Sequence, residues 1–340
     1  MSATEPESGK EFASYLSKRL KKNLICKDIQ RIFGGASRET YKVRLYEKEV
    51  DKYLNVIYRK SQESSLIETD QETEYLAYQA FQNSHVPVPK LIVLEKSSKP
   101  LGAPFLVMEE LSGQSYNPFD KDAYKPYQKE IGEQFWSILG KISSTNISKK
   151  GLDKKFDVPS PEKLWKKELD YWVSVIRSDS MGVEPILEAA IRKLYRSPPS
   201  KPERIGLIHG DYRNGNFLID KDTITGILDW EMAHLGDPLE DLAWALSPIW
   251  CWEENLRPAY LISRDEGLDI WKRNSKIDLN EDSLTWWELF ACVKGMAIWI
   301  SAGNEFLKGK NTDPVNLFSA WVPGDIHTEI ILNLMESRVN

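Results

Sequence analysis

The feature that most constrains this 340-residue chain is a short β-like interruption, LIHGDYRNGNFLIDKDTITGILDWE (residues 207–231), in a stretch otherwise helical in pattern. FLID and ITGILDW read as two short strands joined by a polar turn around Lys221-Asp222. The apolar runs Leu207-Ile208 and Ile227-Leu228 each end in polar residues, and Asp211, Asn216 and Asp229 are the oxygen-bearing members. Asp and Asn are ordinary turn residues, so any one of them alone reads as a turn or a cap. Their joint spacing says more. Only YRNG separates Asp211 from Asn216, and Gly215 eases the backbone just before Asn216, so one loop can bring both side chains to one point. Asp229 then arrives at the end of the second strand.

The surroundings define a two-part chain. After a first helix at roughly residues 10 to 22, TYKVRLY places Tyr41, Val43 and Leu45 on one strand face, and YLNVIYRK places Leu54, Val56 and Tyr58 on one face. DQETEYLAYQAFQN carries a helical stripe of Leu76, Ala77, Ala80 and Phe81. Two further strands, LIVLE and PFLVMEEL, complete a small mixed lobe that ends near Glu109 to Gly113. Beyond it, helices are expected over 120–145, 160–177, 183–196, 239–246, 283–302 and 325–337, the last opened by Asp325 as a cap. The expected fold class is α+β: a β-rich lobe over 1–110 and a mainly helical lobe over 111–340 that holds one β-hairpin. Clefts between such lobes are preferred ligand sites.

Composition narrows the class. A net charge of −6 and a pI near 5.5 argue against a nucleic-acid binder, which would show a basic face. Cys26, Cys251 and Cys292 lie far apart without metal-type spacing, which fits a reduced, cytoplasmic setting. The start MSATEPESGK has no apolar signal core, and LFACVKGMAIWISAG is too short to span a bilayer and carries Lys294, so no membrane partner is expected. Oligomeric state is left open.

A carboxylate and an amide oxygen are hard ligands suited to Mg²⁺, which uses substrate phosphates as further ligands. A second carboxylate, clear of the metal, can accept a hydroxyl proton. That is the chemistry of phosphoryl transfer, in which positioning and charge neutralisation do nearly all of the work. The motifs HGDYRNGN and GILDWE, followed by GDPLEDLAW, resemble the catalytic loop and metal-binding strand end of the aminoglycoside phosphotransferase family, small-molecule relatives of protein kinases. The resemblance implies a protein-kinase-like bilobal fold, a nucleotide donor (ATP or GTP) and Mg²⁺, with Asp211 as catalytic base and Asn216 and Asp229 as metal ligands. His209 is expected to fix the loop by hydrogen bonding, Asp237 to cap the next helix, and Asp241 to brace the catalytic loop through its backbone.

The resemblance extends upstream. FGGASRETYKV places Gly34-Gly35 where a phosphate-covering loop would lie, with Ser37 as a nucleotide contact, although the full G-x-G-x-x-G spacing is absent and Arg38 replaces an Asn common in relatives. Arg59 in VIYRK corresponds to the kinase strand lysine, with Lys60 as the alternative; Glu74 is its expected helix partner, with Glu72 as competitor. PFLVMEELSG resembles the connector whose backbone, from Glu109 to Leu111, hydrogen-bonds adenine.

The acceptor is less constrained. Lys294 lies on a helix that is apolar round most of its circumference; it reads either as a lysine snorkelling to solvent or as a cation in an aromatic acceptor pocket. Arg213 is expected to face the acceptor or the transferred phosphate. A lobe rich in tryptophan suits a small hydroxylated organic molecule, and VPVPK, GAPFLVMEELSG and GDPLEDLAWAL look most like the kinase-like domain fused to some acyl-CoA dehydrogenases, which implies a hydroxyacyl-type substrate; an aminoglycoside-like acceptor is the other option. A catalytically weak nucleotide-binding regulatory module and a metal-dependent hydrolase are the rival functions.

Overall fold

The period-two alternation of the early chain forms an antiparallel sheet. The computed structural model describes residues 5–32, 38–61, 71–180, 182–252 and 257–336. By its contacts the chain divides into two units, Met1–Asn83 with Val88–Ser112, and Ser84–Pro87 with Gly113–Asn340.

In the first unit the elements are α1 (Glu5–Leu20), β1 (Leu24–Ile32), β2 (Arg38–Glu47), β3 (Lys52–Ser61), α2 (Gln71–Phe81), β4 (Leu91–Glu95) and β5 (Phe105–Glu109). The strands lie in the order β1-β2-β3-β5-β4, each neighbour antiparallel. Val43 stands opposite Val56, and Tyr58 opposite both Tyr41 and Val107, so one face of the sheet is continuous and apolar. That face packs Val43, Leu45, Val56, Tyr58, Phe105 and Val107 against Phe12, Ala13 and Leu16 of α1. The strand faces read in TYKVRLY and YLNVIYRK are therefore the buried ones. α2 buries Ala77, Ala80 and Phe81, and with them Glu74.

The second unit contains α3 (Gln128–Ser143), α4 (Leu164–Asp179), α5 (Pro185–Arg196), β6 (Gly206–Ile208), β7 (Phe217–Asp220), β8 (Thr223–Ile227), β9 (His234–Gly236), α6 (Pro238–Leu246), α7 (Arg264–Ser275), α8 (Glu281–Leu307) and α9 (Pro314–Glu336). β7 and β8 are the expected hairpin, and β6 pairs antiparallel with β9, Ile208 opposite His234. α8 is the central post: α4, α5, α6 and α9 all pack on it, which is why it is apolar on nearly every side. No helix among the described residues is long and apolar enough to cross a membrane.

Three expectations change. α3 starts at Gln128 and not near residue 120, because Pro126 disfavours helical backbone in the residue before it. α7 is a helix that the sequence reading did not single out; it is opened by a capping box between Ser263 and Glu266. Asp325 is not a cap: α9 begins at Pro314 and runs through Pro323. Packing on α8 helps hold α9 through that proline. Gly295 leaves just enough room for the His327 ring, with which any side chain there would collide, and Trp299 Nε1 donates to His327 Nδ1 at 2.7 Å.

Burial pushes the His327 imidazole down to about 3, so it is neutral in the fold, whereas in the unfolded chain it titrates near its ordinary value of 6.5. Its contribution to stability is complete above that ordinary value and is lost progressively as pH falls from there towards the folded value, by up to ~1.4 kcal/mol per pH unit. His327→Leu is expected to show a smaller loss of Tm between neutral pH and about pH 5 than the wild type; equal losses in thermal melts would contradict this.

Candidate active site

The loop between β6 and β7 is built around Asp211. Gly210 turns the chain with φ +85°, and a Cβ there would sit 2.6 Å from the Met232 carbonyl oxygen, so only glycine fits. Gly215, at φ +95°, makes the second turn and brings Asn216 back. The Asn216 amide nitrogen then donates to the Asp211 carbonyl at 2.9 Å and to its Oδ2 at 2.6 Å. Asp211 Oδ1 accepts from the indole N–H of Trp244 at 2.8 Å. Arg213 Nε lies 3.0 and 3.1 Å from the two carboxylate oxygens, and its guanidinium rests over the Trp250 ring, 4.7 Å from the centroid. The carboxylate is thus held by three side chains and keeps 17% of its side-chain surface exposed.

His209 supplies the inner brace. Burial pushes its imidazole below the ordinary range, so the ring is neutral. Nδ1 accepts from the Asp211 N–H at 3.1 Å, which leaves the hydrogen on Nε2 to donate to the Leu228 carbonyl at 2.8 Å. Leu228 N–H in turn donates to the Asn216 carbonyl at 2.8 Å. This short circuit fastens the end of β8 to the loop, and Asp229 is the next residue. Asp229 adopts the left-handed conformation, φ 66° and ψ 53°, which Asp tolerates better than most residues. Asp211 and Asn216 are in direct contact, and Leu228, the residue before Asp229, is bonded to Asn216 directly and to Asp211 by way of His209.

The oxygen donors suit a hard cation. With its nitrogen engaged by Asp211, Asn216 has Oδ1 as its acceptor atom, and the Asp229 carboxylate supplies the second hard donor.

Asp241 anchors the loop from below. Its Oδ2 accepts from His209 N at 2.7 Å and its Oδ1 from Gly210 N at 2.9 Å. Asp237 caps α6 through Leu239 N at 2.9 Å and also accepts from Trp287 Nε1 at 3.0 Å. Both roles match the reading of GDPLEDLAW. Trp244 carries no expectation from the sequence, although its place one turn after Asp241 puts it on the same face of α6.

Lys294 does neither of the things expected of it. It does not reach solvent and it does not line an open pocket: its side chain is 1% exposed. Its Nζ donates to the Gly210 carbonyl at 2.6 Å and to Glu240 Oε1 at 3.1 Å, between the rings of Trp172 and Trp244. A lysine this deep on a tightly packed helix cannot snorkel, so it is paired instead. His234 extends the same cluster towards its edge: Nε2 lies 3.0 Å from Glu240 Oε2 and 3.8 Å from Glu168 Oε2. Burial works against its charge, but the two carboxylates outweigh burial and raise it to about 10. Burial likewise pushes the Glu240 carboxyl up, yet His234 and Lys294 hold it down at about 2.

In the first unit, Arg59 Nη1 donates to Glu74 Oε1 at 2.6 Å, with Glu74 fully buried. Glu72, the competitor, pairs with Lys96 on the surface. Lys60 follows Arg59 on β3 and so alternates to the other face. Arg38, noted only as a departure from the family pattern, is also turned to Glu74, Nε to Oε2 at 3.9 Å. Glu109 closes β5 with an exposed side chain; its N–H donates to Lys90 O at 2.9 Å and that of Glu110 to Asn55 O at 3.2 Å, with Leu111 following. Ser37 and the Gly34-Gly35 turn lie outside the described residues.

With this geometry in place, the comparisons are consistent. The chain belongs to the phosphotransferase enzyme family (APH), which matches residues 28–273. Acyl-CoA dehydrogenase family member 10 of Mus musculus is 29% identical over 220 residues, 62% of this chain and 19% of that protein, so the match spans a small part of its length. The fold is the kinase-like phosphotransferase fold. A protein of Ralstonia eutropha described as a candidate aminoglycoside phosphotransferase superposes with TM-score 0.77 at 15% identity, covering 96% of this chain and 98% of that one. The GDP complex of aminoglycoside 2'-phosphotransferase-IIIa gives TM-score 0.61 at 12% identity, with 96% and 98% coverage.

Asp241→Asn puts an amide where one of two backbone N–H groups must be accepted. It is expected to cost about 2–4 kcal/mol, on the scale of hydrogen bonds to a buried charged group, measured by urea denaturation. A change under about 0.5 kcal/mol, the usual range for an uninvolved surface site, would contradict the anchoring role.

Proposed function

We propose that this protein is a Mg²⁺-dependent phosphotransferase that moves the γ-phosphate of ATP or GTP to a hydroxyl of a small organic molecule. The observation that carries the reading is the Asp211 carboxylate, oriented by Trp244 and Asn216 in a loop that His209 and Leu228 fasten to the strand end before Asp229. Asp211 accepts the proton of the acceptor hydroxyl; the hydroxyl oxygen bonds to the γ-phosphorus as the bond to the bridging β–γ oxygen breaks and the nucleoside diphosphate leaves. Asn216 and Asp229 hold Mg²⁺, which when bound neutralises charge on the β- and γ-phosphates. Arg59, steadied by Glu74, clamps phosphate oxygens; Ser37 adds a phosphate contact, and the backbone from Glu109 to Leu111 meets the base.

On this reading residues 1–110 bind the nucleotide, and residues 111–340 carry catalysis and the acceptor. The acceptor lies against aromatic surface near the loop, where Trp250 underlies Arg213 and Trp252 meets Phe119 at 4.4 Å between centroids. Such walls, together with a mouse relative named as an acyl-CoA dehydrogenase, favour a hydroxyacyl-type molecule over an aminoglycoside-like one.

One observation favours a second reading, a nucleotide-binding regulatory module of weak transfer activity. Arg213 covers both oxygens of Asp211, which restrains the base until the guanidinium moves.

Asp211→Ala is expected to lower turnover by about three or more orders of magnitude while nucleotide affinity, measured by calorimetry, stays within about threefold. Asp229→Ala is expected to do the opposite to binding and to abolish the dependence of nucleotide affinity on Mg²⁺. Comparable turnover in Asp211→Ala, or unchanged Mg²⁺-dependent binding in Asp229→Ala, would overturn these assignments.

A further inference from the structure

The peptide unit joining Gly210 to Asp211 is held at both ends. Its N–H donates to His209 Nδ1 and its carbonyl accepts from Lys294 Nζ. The preceding peptide is gripped by Asp241. α6 therefore reaches the loop by several routes: Asp241 on the backbone, Trp244 on the Asp211 carboxylate, and Glu240 indirectly, as the counter-charge of Lys294. The Trp244 ring that orients Asp211 also lies over the Lys294 ammonium, 5.2 Å from Nζ to centroid. One cation on α8 thus touches the backbone just before Asp211 and one of the three side chains that hold its carboxylate.

We propose that Lys294, with Glu240 as its counter-charge, is a positioning residue for Asp211, setting the height and tilt of the catalytic carboxylate through the Gly210 carbonyl and the Trp244 indole. The inference rests on the reading of Asp211 as the base. Stability alone is a weak reason for this arrangement, because a buried ion pair is often no better than well-packed apolar residues of similar volume. Lys294, Glu240 and His234 alternate in sign along the cluster, with Glu168 beyond His234 at 3.8 Å, so the ammonium has a fixed partner and keeps its direction. The Gly210 carbonyl lies at the end of this line. Small displacements of a base are costly: about 1 Å can lower a rate a hundredfold.

The test compares Lys294→Met, which keeps length and volume without the charge, with Lys294→Arg in the full chain. Amide hydrogen exchange over residues 206–216 is read by mass spectrometry against exchange over α9 and the first unit. Alongside it, kcat and the nucleotide KM are measured with the best acceptor found, using Asp211→Ala as the blank. Lys294→Met is expected to speed exchange in the loop selectively and to lower kcat by about 10- to 100-fold with KM nearly unchanged, and Lys294→Arg to recover part of both. Wild-type exchange in the loop, or exchange rising evenly through the chain with kcat and KM changing together, would overturn the proposal. If Lys294→Met does not fold, Glu240→Gln carries the same readouts, because it keeps the lysine and removes its counter-charge. A wild-type chain without transfer activity would sink the phosphotransferase reading, and the exchange comparison would still decide the role of Lys294.

Discussion

The β6–β7 loop depends on a single carboxylate, Asp241, which accepts two consecutive backbone N–H groups where Gly210 turns the chain. Gly210 can adopt its positive φ only because it lacks a side chain, and a backbone bent this way would leave its amides without helix or sheet partners. Asp241 satisfies them in a fully buried place. Once that turn is fixed, His209 lies where its ring can bridge the Asp211 amide and the Leu228 carbonyl, and the end of β8 is drawn to the loop. Asp211 and Asn216 meet as a consequence of this anchor, and the strand end that precedes Asp229 is fastened to them.

Charge is organised in two tiers. In the loop itself, Asp211 is partly exposed and held by donors that can be exchanged, Arg213 among them. Behind it, Lys294 and Glu240 are each 1% exposed and offset one another's charge, with His234 and Glu168 at the more exposed edge of the cluster. The separation has a physical logic: groups that must respond to a ligand need access to water, whereas groups that hold a backbone in place work best where no water competes. In the first unit a milder contrast appears at Arg59, whose partner Glu74 is fully buried while its own side chain is 12% exposed.

Much of this was legible in the chain. Asp211, Asn216 and Asp229 stand within one short stretch, so local spacing and a hairpin were enough to bring them together on paper. Asp237 and Asp241 follow directly, with a proline marking the helix start. Arg59 and Glu74 needed the family resemblance, since nothing local links a strand arginine to one helix glutamate over another. Lys294 was misread because its partner, Gly210, is 84 residues away and offers a carbonyl, which no side-chain pattern records. Trp244 was passed over because tryptophan is usually core, and its N–H is directional only once the loop is in place. β9 is too short to show a period, and α9 runs through Pro323 because tertiary packing overrides a local breaker.

The most direct measurement of the central claim is a phosphorus NMR time course of ATP and GTP with Mg²⁺ and a panel of hydroxylated acceptors, hydroxyacyl compounds and aminoglycosides included, run with the wild type and with Asp211→Ala. A phosphate-monoester resonance that grows only with the wild type, only with an acceptor present, and in step with the loss of the γ-phosphate is the predicted result. Release of inorganic phosphate alone, at equal rates in both proteins, would contradict it.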